Sequence, residues 1–317
     1  MDISLLWIER HNNMAKLLSE FRRLYKNEGL SAKVVDEFRG IIWDYYKRHK
    51  REFPWRNTTE PYKIFLSEMM LQQTQTSRVK KKYRAFLKKW PTFKDLAEAE
   101  LEDVLKLWQG LGYNRRAIWM KNIAEKVYNE MDSVFPEDPK ALQKLKGIGE
   151  ATAGEITAFA FNKPVVFIET NIRRLFIYFF FHTRDEVKDK EIMPLIEKTL
   201  VGDKAREWYY ALMDYGVMLK KKFPKKNPNK KSAHYRKQKK FEGSNRQLRG
   251  KILRYMLKHK KASVEQVSLS LGHKIGHVRE NLENMTNEGF LEKTKEKEIY
   301  KVKQKDCNEE HRAFCKN

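Results

Sequence analysis

The chain has 317 residues, with 66 Lys and Arg against 42 Asp and Glu, a formal net charge of +24 and a pI near 9.7. Such a field attracts polyanions, nucleic acid first and an anionic membrane surface second. A spanning helix is excluded, because no segment approaches the roughly 18 unbroken apolar residues it needs and "LFIYFFF" (Leu175 to Phe181) reads as a short buried helix. Asp2 and an early break in the N-terminal apolar run argue against a secretory signal. Both cysteines, Cys307 and Cys315, sit in a polar C-terminal tail, so no disulfide frames the core. An intracellular setting is expected.

Apolar residues at 3.6-residue spacing make the chain mostly α. Residues 1–33 read as a helical extension without legible chemistry. Val34 to Arg51 is an amphipathic helix and "FPWRNTTEPY" a loop. Ile64 to Trp90 is helical with one break, and Thr92 opens a short helix pair ending at "GLGY". Asp138-Pro139 starts a helix closed by Gly147 and Gly149. After residue 219 composition shifts: Lys220 to Lys231, "KKKFPKKNPNKK", has no apolar period and reads as a basic linker or flexible loop, its character reaching residue 243. From 244 to 304, three helical stretches and the alternating "FLEKTKEKEIYKV" follow the order of a winged helix-turn-helix with a two-stranded wing. Residues 305–317 form a tail in which Cys307, His311 and Cys315 could suggest a metal site, although three ligands in a polar tail read as unstructured.

Four stretches could carry chemistry. In "KLKGIGEATAGEI" a Gly-x-Gly turn joins two helices, so Lys146, Gly147, Gly149 and the following helix start could hold a phosphate through backbone amides; the bland reading is a glycine-capped turn. Glu68 lies among Phe65, Leu66, Met69 and Met70, where desolvation would raise its pKa and suit it to act as a general acid. The adjacent Gln72, Gln73 and Thr74 could meet base edges or form an ordinary solvated helix end. "WQGLGYNRRA" presents Tyr113 on a tight turn before Arg115 and Arg116, an arrangement suited to wedging between bases beside phosphates, although ordinary core packing explains it too. In "VVFIETNIRRLF", Glu169 precedes a helix start; taken alone it is either a helix-start acid or a placed catalytic group.

In order and spacing, "PWR", "SEMMLQQTQT", "LWQGLGY", "GIGEATAG", "ETNIRR" and "ALMDYG" closely resemble the helix-hairpin-helix (HhH-GPD) DNA glycosylase superfamily, in particular its adenine glycosylase, MutY-like branch, over roughly Val34 to Lys220. The resemblance implies a mostly α, two-lobed glycosylase fold at 34–219; the basic segment at 220–243 and the winged-helix-like segment at 244–304, read from composition and element order, follow it. It implies double-stranded DNA with a mismatch or lesion as partner, no membrane, and a monomer. A base would be flipped out and its glycosidic bond hydrolysed. Glu68 matches the acid that protonates the departing base. Glu169 falls where the family has an Asp that stabilises the sugar cation, and Asn171 matches an Asn beside it. A helix N-terminus would keep Glu169 ionised, giving two carboxyls with opposite protonation. Arg173 and Lys220, Lys221 and Lys222 would face DNA, and Arg56, Tyr210 and Ala151 would line the base pocket.

Four departures shape the expectation. Glu169 is one methylene longer than Asp, and small misplacements can cost about 100-fold in rate. Ala151 stands where bifunctional members carry the lysine that forms a Schiff base, so efficient lyase activity is not expected. The family's four-cysteine iron–sulfur cluster cannot form; no cofactor is expected, with the hairpin carbonyls the place for a monovalent cation, and the Lys220 to Lys231 run would restore phosphate contacts. Tyr210 replaces a Gln of the adenine branch, and a winged-helix-like segment stands where that branch has a Nudix-like domain. Adenine opposite oxidised guanine or guanine is therefore the first expectation, thymine or uracil opposite guanine the second. A non-catalytic DNA-binding or damage-sensing protein is the alternative of another class.

Overall fold

The computed structural model describes residues 3–304 except Lys239 and Lys297, with side chains from residue 15 onward; the Cys307, His311 and Cys315 reading lies outside the described residues. The chain runs through α1 (Ile3–Glu28), α2 (Ala32–His49), a 3₁₀ turn at Pro54–Arg56, α3 (Pro61–Leu71), α4 (Thr76–Lys89), α5 (Phe93–Glu98), α6 (Leu101–Trp108), α7 (Arg115–Glu130) and α8 (Pro139–Gln143). It continues through α9 (Glu150–Phe161), α10 (Thr170–Phe180), α11 (Asp189–Thr199), α12 (Ala205–Lys222), a 3₁₀ turn at Pro228–Lys231, α13 (Asn245–His259), β1 (Lys261–Ser263), α14 (Val264–Leu271), α15 (Ile275–Asn287), β2 (Leu291–Lys293) and β3 (Ile299–Val302). The fold is mostly helical, as expected. No described helix is long and apolar enough to cross a membrane.

Many boundaries follow from capping chemistry visible in the sequence. Ser31 accepts from Val34 N–H at 3.3 Å. Thr92 and Asp95 form a capping box. Asp138 accepts from Ala141 N–H at 2.8 Å, with Pro139 at the first helical position. Each supplies a side-chain partner to one of the N–H groups that a helix start leaves unpaired.

Contacts group the chain into two units that do not follow chain order: residues up to 59 with 149–237, and 60–148 with 238 onward. The first unit is built on aromatics. Phe21 of α1 meets Phe38 of α2 and Phe179 and Phe180 of α10 at ring-centroid distances of 6.0, 5.2 and 5.4 Å. Trp208 of α12 packs edge-on to Phe38. The N-terminal helix is thus part of a core rather than a mere extension, because Leu18 and Phe21 are buried in it.

Nor is the lysine run a simple linker. Its first three residues complete α12. Val187 and Ser232 then form a parallel bridge, and Asn229 is buried. Asparagines and Pro228 give that stretch local order that an apolar period does not reveal.

In the second unit Phe65, Phe93 and Phe135 cluster with centroids 5.0 to 5.5 Å apart. Its C-terminal part holds α13, α14 and α15 with an antiparallel sheet ordered β1-β3-β2. The expected two-stranded wing gains a third strand, β1, which pairs Lys261 with Lys301 and Ser263 with Ile299. Three residues are too few to show alternation by themselves.

Candidate active site

Glu169 sits in extended backbone as the N-cap of α10. Its Oε1 accepts from the N–H groups of Asn171 at 2.7 Å and Ile172 at 2.8 Å. Its Oε2 accepts from Asn171 Nδ2 at 3.1 Å. The glutamate's extra methylene lets the carboxylate fold back onto the helix end. The residue as a whole is half-buried, while its carboxylate is enclosed by these donors. Burial pushes the carboxyl above its ordinary value of 4.5; the Asn171 and Ile172 N–H groups and then the Arg174 and Arg173 guanidiniums pull it back only in part. The helix-end donors foreseen for an ionised Glu169 are present, but desolvation outweighs them.

Arg174, 2% exposed, sets this array. Its Nη1 donates to Asn171 Oδ1 at 2.7 Å and to the Gly216 carbonyl at 2.9 Å, and its Nε donates to Asn227 Oδ1 at 3.0 Å. Because Arg174 claims Asn171 Oδ1, the Asn171 amide is oriented with Nδ2 toward Glu169. Gly216 of "MDYG" is required here: a Cβ would lie 2.2 Å from the Asn171 carbonyl oxygen. Asn229 Nδ2 donates to Thr170 O at 2.8 Å. The lysine-rich segment therefore braces the first turn of α10 through Asn227 and Asn229. Arg174 and these asparagines were missed in the sequence; two Asn within a lysine run were the available signal.

Glu68 lies in the last turn of α3, 5% exposed, among Phe65, Leu66, Met69 and Met70, each fully buried. Ser67 Oγ donates to its Oε1 at 3.1 Å. Arg56 and Tyr210 are brought together in the first unit. The Arg56 guanidinium lies 4.4 Å from the Tyr210 ring centroid and donates to both Asp214 oxygens at 2.9 and 2.8 Å. Asp214 also accepts from Arg51 N and Nε at 2.8 and 2.6 Å. The Tyr210 ring stacks on Phe159 at 4.5 Å. Ala151, partly exposed, occupies the first turn of α9.

The residues read as facing DNA divide into two groups. Lys146, Gly149, Gln73, Tyr113, Lys220 and Lys221 are exposed. Others are committed within the protein. Arg173 makes a two-pronged pair with Asp189 at 2.7 and 2.6 Å. Gln72 Nε2 donates to Gly147 O at 3.1 Å, Thr74 Oγ1 donates to Leu111 O at 3.2 Å, and the half-buried Lys222 lies over the Phe223 ring. Arg116, read beside Tyr113 as a phosphate contact, is instead a buried clamp. It donates to Met69 O, Met70 O, Thr74 Oγ1 and Gly112 O at 2.8 to 3.0 Å, and burial lowers its pKa to about 10. Gly147 takes φ +105°, and a Cβ there would meet Trp119 at 2.7 Å. Gln73 and Tyr113 hold φ of +53° and +48°, left-handed conformations that cost about 1–3 kcal/mol and tend to cluster at functional sites.

Among the described residues no group of three or more His, Cys, Asp or Glu could hold a metal ion. A four-thiolate cluster does not fit a chain of two cysteines, and the end of α12 with Asn227 and Asn229 occupies the corresponding stretch.

Residues 66–200 match the model of the HhH-GPD superfamily base excision DNA repair proteins. The adenine DNA glycosylase of Mycolicibacterium smegmatis is 31% identical over 227 residues, covering 67% of this chain and 78% of that protein. The human adenine DNA glycosylase is 39% identical over 150 residues, 44% of this chain but only 28% of the human protein. Among solved structures, a thermostable thymine-DNA glycosylase aligns with a TM-score of 0.54 at 27% identity, covering 62% of this chain and 91% of that one.

Proposed function

Since the chain belongs to the HhH-GPD superfamily of base excision DNA repair proteins, we propose that it is a monofunctional DNA glycosylase that flips a mispaired or damaged base from double-stranded DNA and hydrolyses its N-glycosidic bond. The observation that carries this reading is the array of Glu169, Asn171 and Arg174 at the start of α10. As the bond breaks, positive charge develops on the sugar, and a fixed carboxylate in a water-poor setting stabilises it electrostatically. Glu68 supplies the proton taken by the departing base, and water completes the sugar. Because Glu169's carboxyl is pushed up, loss of its proton is the requirement that sets the acid side of the pH profile. With Ala151 in place of an amine, no Schiff base forms at that position. Lys146, Gly147 and Gly149, and the first turn of α9, would receive backbone phosphates.

Adenine opposite oxidised guanine or guanine is the favoured substrate, supported by the adenine glycosylases to which the chain is similar. Thymine or uracil opposite guanine is the second reading, favoured by the thymine-DNA glycosylase structure that it covers almost completely and by Tyr210. A panel of duplexes varying target and opposite base, scored for abasic sites under single turnover, tests both. Tight binding without abasic product on any duplex would overturn the enzyme reading.

A further inference from the structure

The second unit contains a cleft of about 930 Å³ whose walls come from two distant parts of the chain. One wall is the segment around Gln72 to Arg78 with the turn carrying Tyr113; the other is chiefly α13 of the winged-helix array, to which α15 adds the buried Met285. Among its described lining residues, besides the buried clamp Arg116, are five arginines and five glutamines against a single acid, Glu288. Arginines suit phosphates, glutamine amides suit base edges, and the aromatic faces of Tyr113, Trp119 and Phe241 suit stacking. Of the non-glycine residues held at positive φ, Gln73 and Tyr113 lie on this cleft.

In a helix-turn-helix the second helix of the motif ordinarily enters the groove, which here would be α15. Its composition opposes that use. It carries Arg279 against Glu280 and Glu283, and Arg279 is paired with Glu298 at 3.0 Å. By contrast, α13 carries five Lys and Arg and no acid. Arg246 of α13 donates to the Tyr113 hydroxyl at 3.0 Å, and Arg249 shares Glu288 with Arg115. Arg254 on α13 and Arg78 on the opposite wall are exposed and, among the described residues, have no ion-pair partner.

We propose that the C-terminal winged-helix array binds DNA through its first helix, α13, which forms with the Gln72 to Arg78 segment and the Tyr113 turn one cleft for a DNA strand, and that α15 is not the reading helix. DNA as the occupant rests on the glycosylase reading; the use of α13 rests on the cleft and its charge. The strand's phosphates meet Arg254 and Arg78, and its bases lie toward Gln73 and Tyr113.

The test is fluorescence anisotropy of an end-labelled, undamaged duplex across a salt series, with the full chain. Arg254→Ala and Arg78→Ala should each weaken binding several-fold and reduce the slope of log affinity against log salt by about 1. Lys274→Ala and His277→Ala, at the start of α15, should leave both unchanged. Circular dichroism melts of all four variants identify any loss caused by unfolding; a misfolded alanine variant is replaced by Arg254→Gln or Arg78→Gln. Unchanged binding by the Arg254 and Arg78 variants, or an equal loss in the α15 variants, overturns the proposal. Since the readout is binding to intact duplex, a protein that releases no base from any substrate still shows whether α13 holds DNA.

Discussion

Replacing Arg174 by methionine keeps the length of a buried side chain but deletes its charge and its donors. Three acceptors lose a donor: Asn171 Oδ1, Gly216 O and Asn227 Oδ1, the last of which keeps the Asn229 N–H. Removing one member of a buried charged network typically costs about 3–5 kcal/mol, which urea unfolding would read as a lower midpoint. The more discriminating effect is on pH. The Arg174 guanidinium is one of the groups that pull the Glu169 carboxyl down against the burial that pushes it up, so its loss leaves that carboxyl still higher. If base release needs the carboxylate, activity falls as pH drops through the folded pKa, which lies above 4.5 in the native protein. Arg174→Met therefore moves this acid limb to higher pH. The freed Asn171 amide also loosens the carboxylate, and a displacement near 1 Å lowers the plateau rate by about 100-fold. Single-turnover base release measured across pH separates the two effects. An acid limb at the native midpoint, with folding intact, would falsify the coupling between Arg174 and Glu169.

Glu68→Gln should abolish abasic-site formation while leaving duplex affinity unchanged; a mutant that cuts at the native rate removes Glu68 from the mechanism. Gly147→Ala, forced to φ +105° against the Trp119 ring, should lower Tm by several degrees. By contrast, Gly149→Ala, with φ −87° and open space for a Cβ, should fold normally and lose affinity only for DNA, so equal melting losses would refute the distinction. Asp214→Asn leaves Arg51 and Arg56 facing a neutral amide in a site 2% exposed. Chemical denaturation should show a loss of about 3–5 kcal/mol, and a stability within about 1 kcal/mol of native would show that the two arginines do not depend on the carboxylate.

Spacing along the chain was enough to read the helices, because capping residues and apolar periods act over one or two turns: Ser31, Thr92 and Asp138 each bond three residues ahead. The same locality placed Glu169 at a helix start and Glu68 within an apolar run. Reading failed wherever a role depends on partners far along the chain. Arg173 and Arg174 are adjacent and chemically identical, yet one pairs with Asp189 on the next helix while the other reaches Gly216 and Asn227. Arg116 looked like a phosphate contact beside Tyr113 and is a clamp on the end of α3.

The sequence by itself determined the helical elements, the family motifs and the strongly basic character, since these follow from local periodicity, residue order and charge. Tertiary structure alone decided which cations are spent on the protein and which stay exposed. It also gave the asparagines of the lysine run their bracing role and set the basic α13 along the cleft. Those outcomes depend on contacts between segments as many as 173 residues apart, such as Arg115 with Glu288, where burial and the geometry of the partner set what a side chain can do.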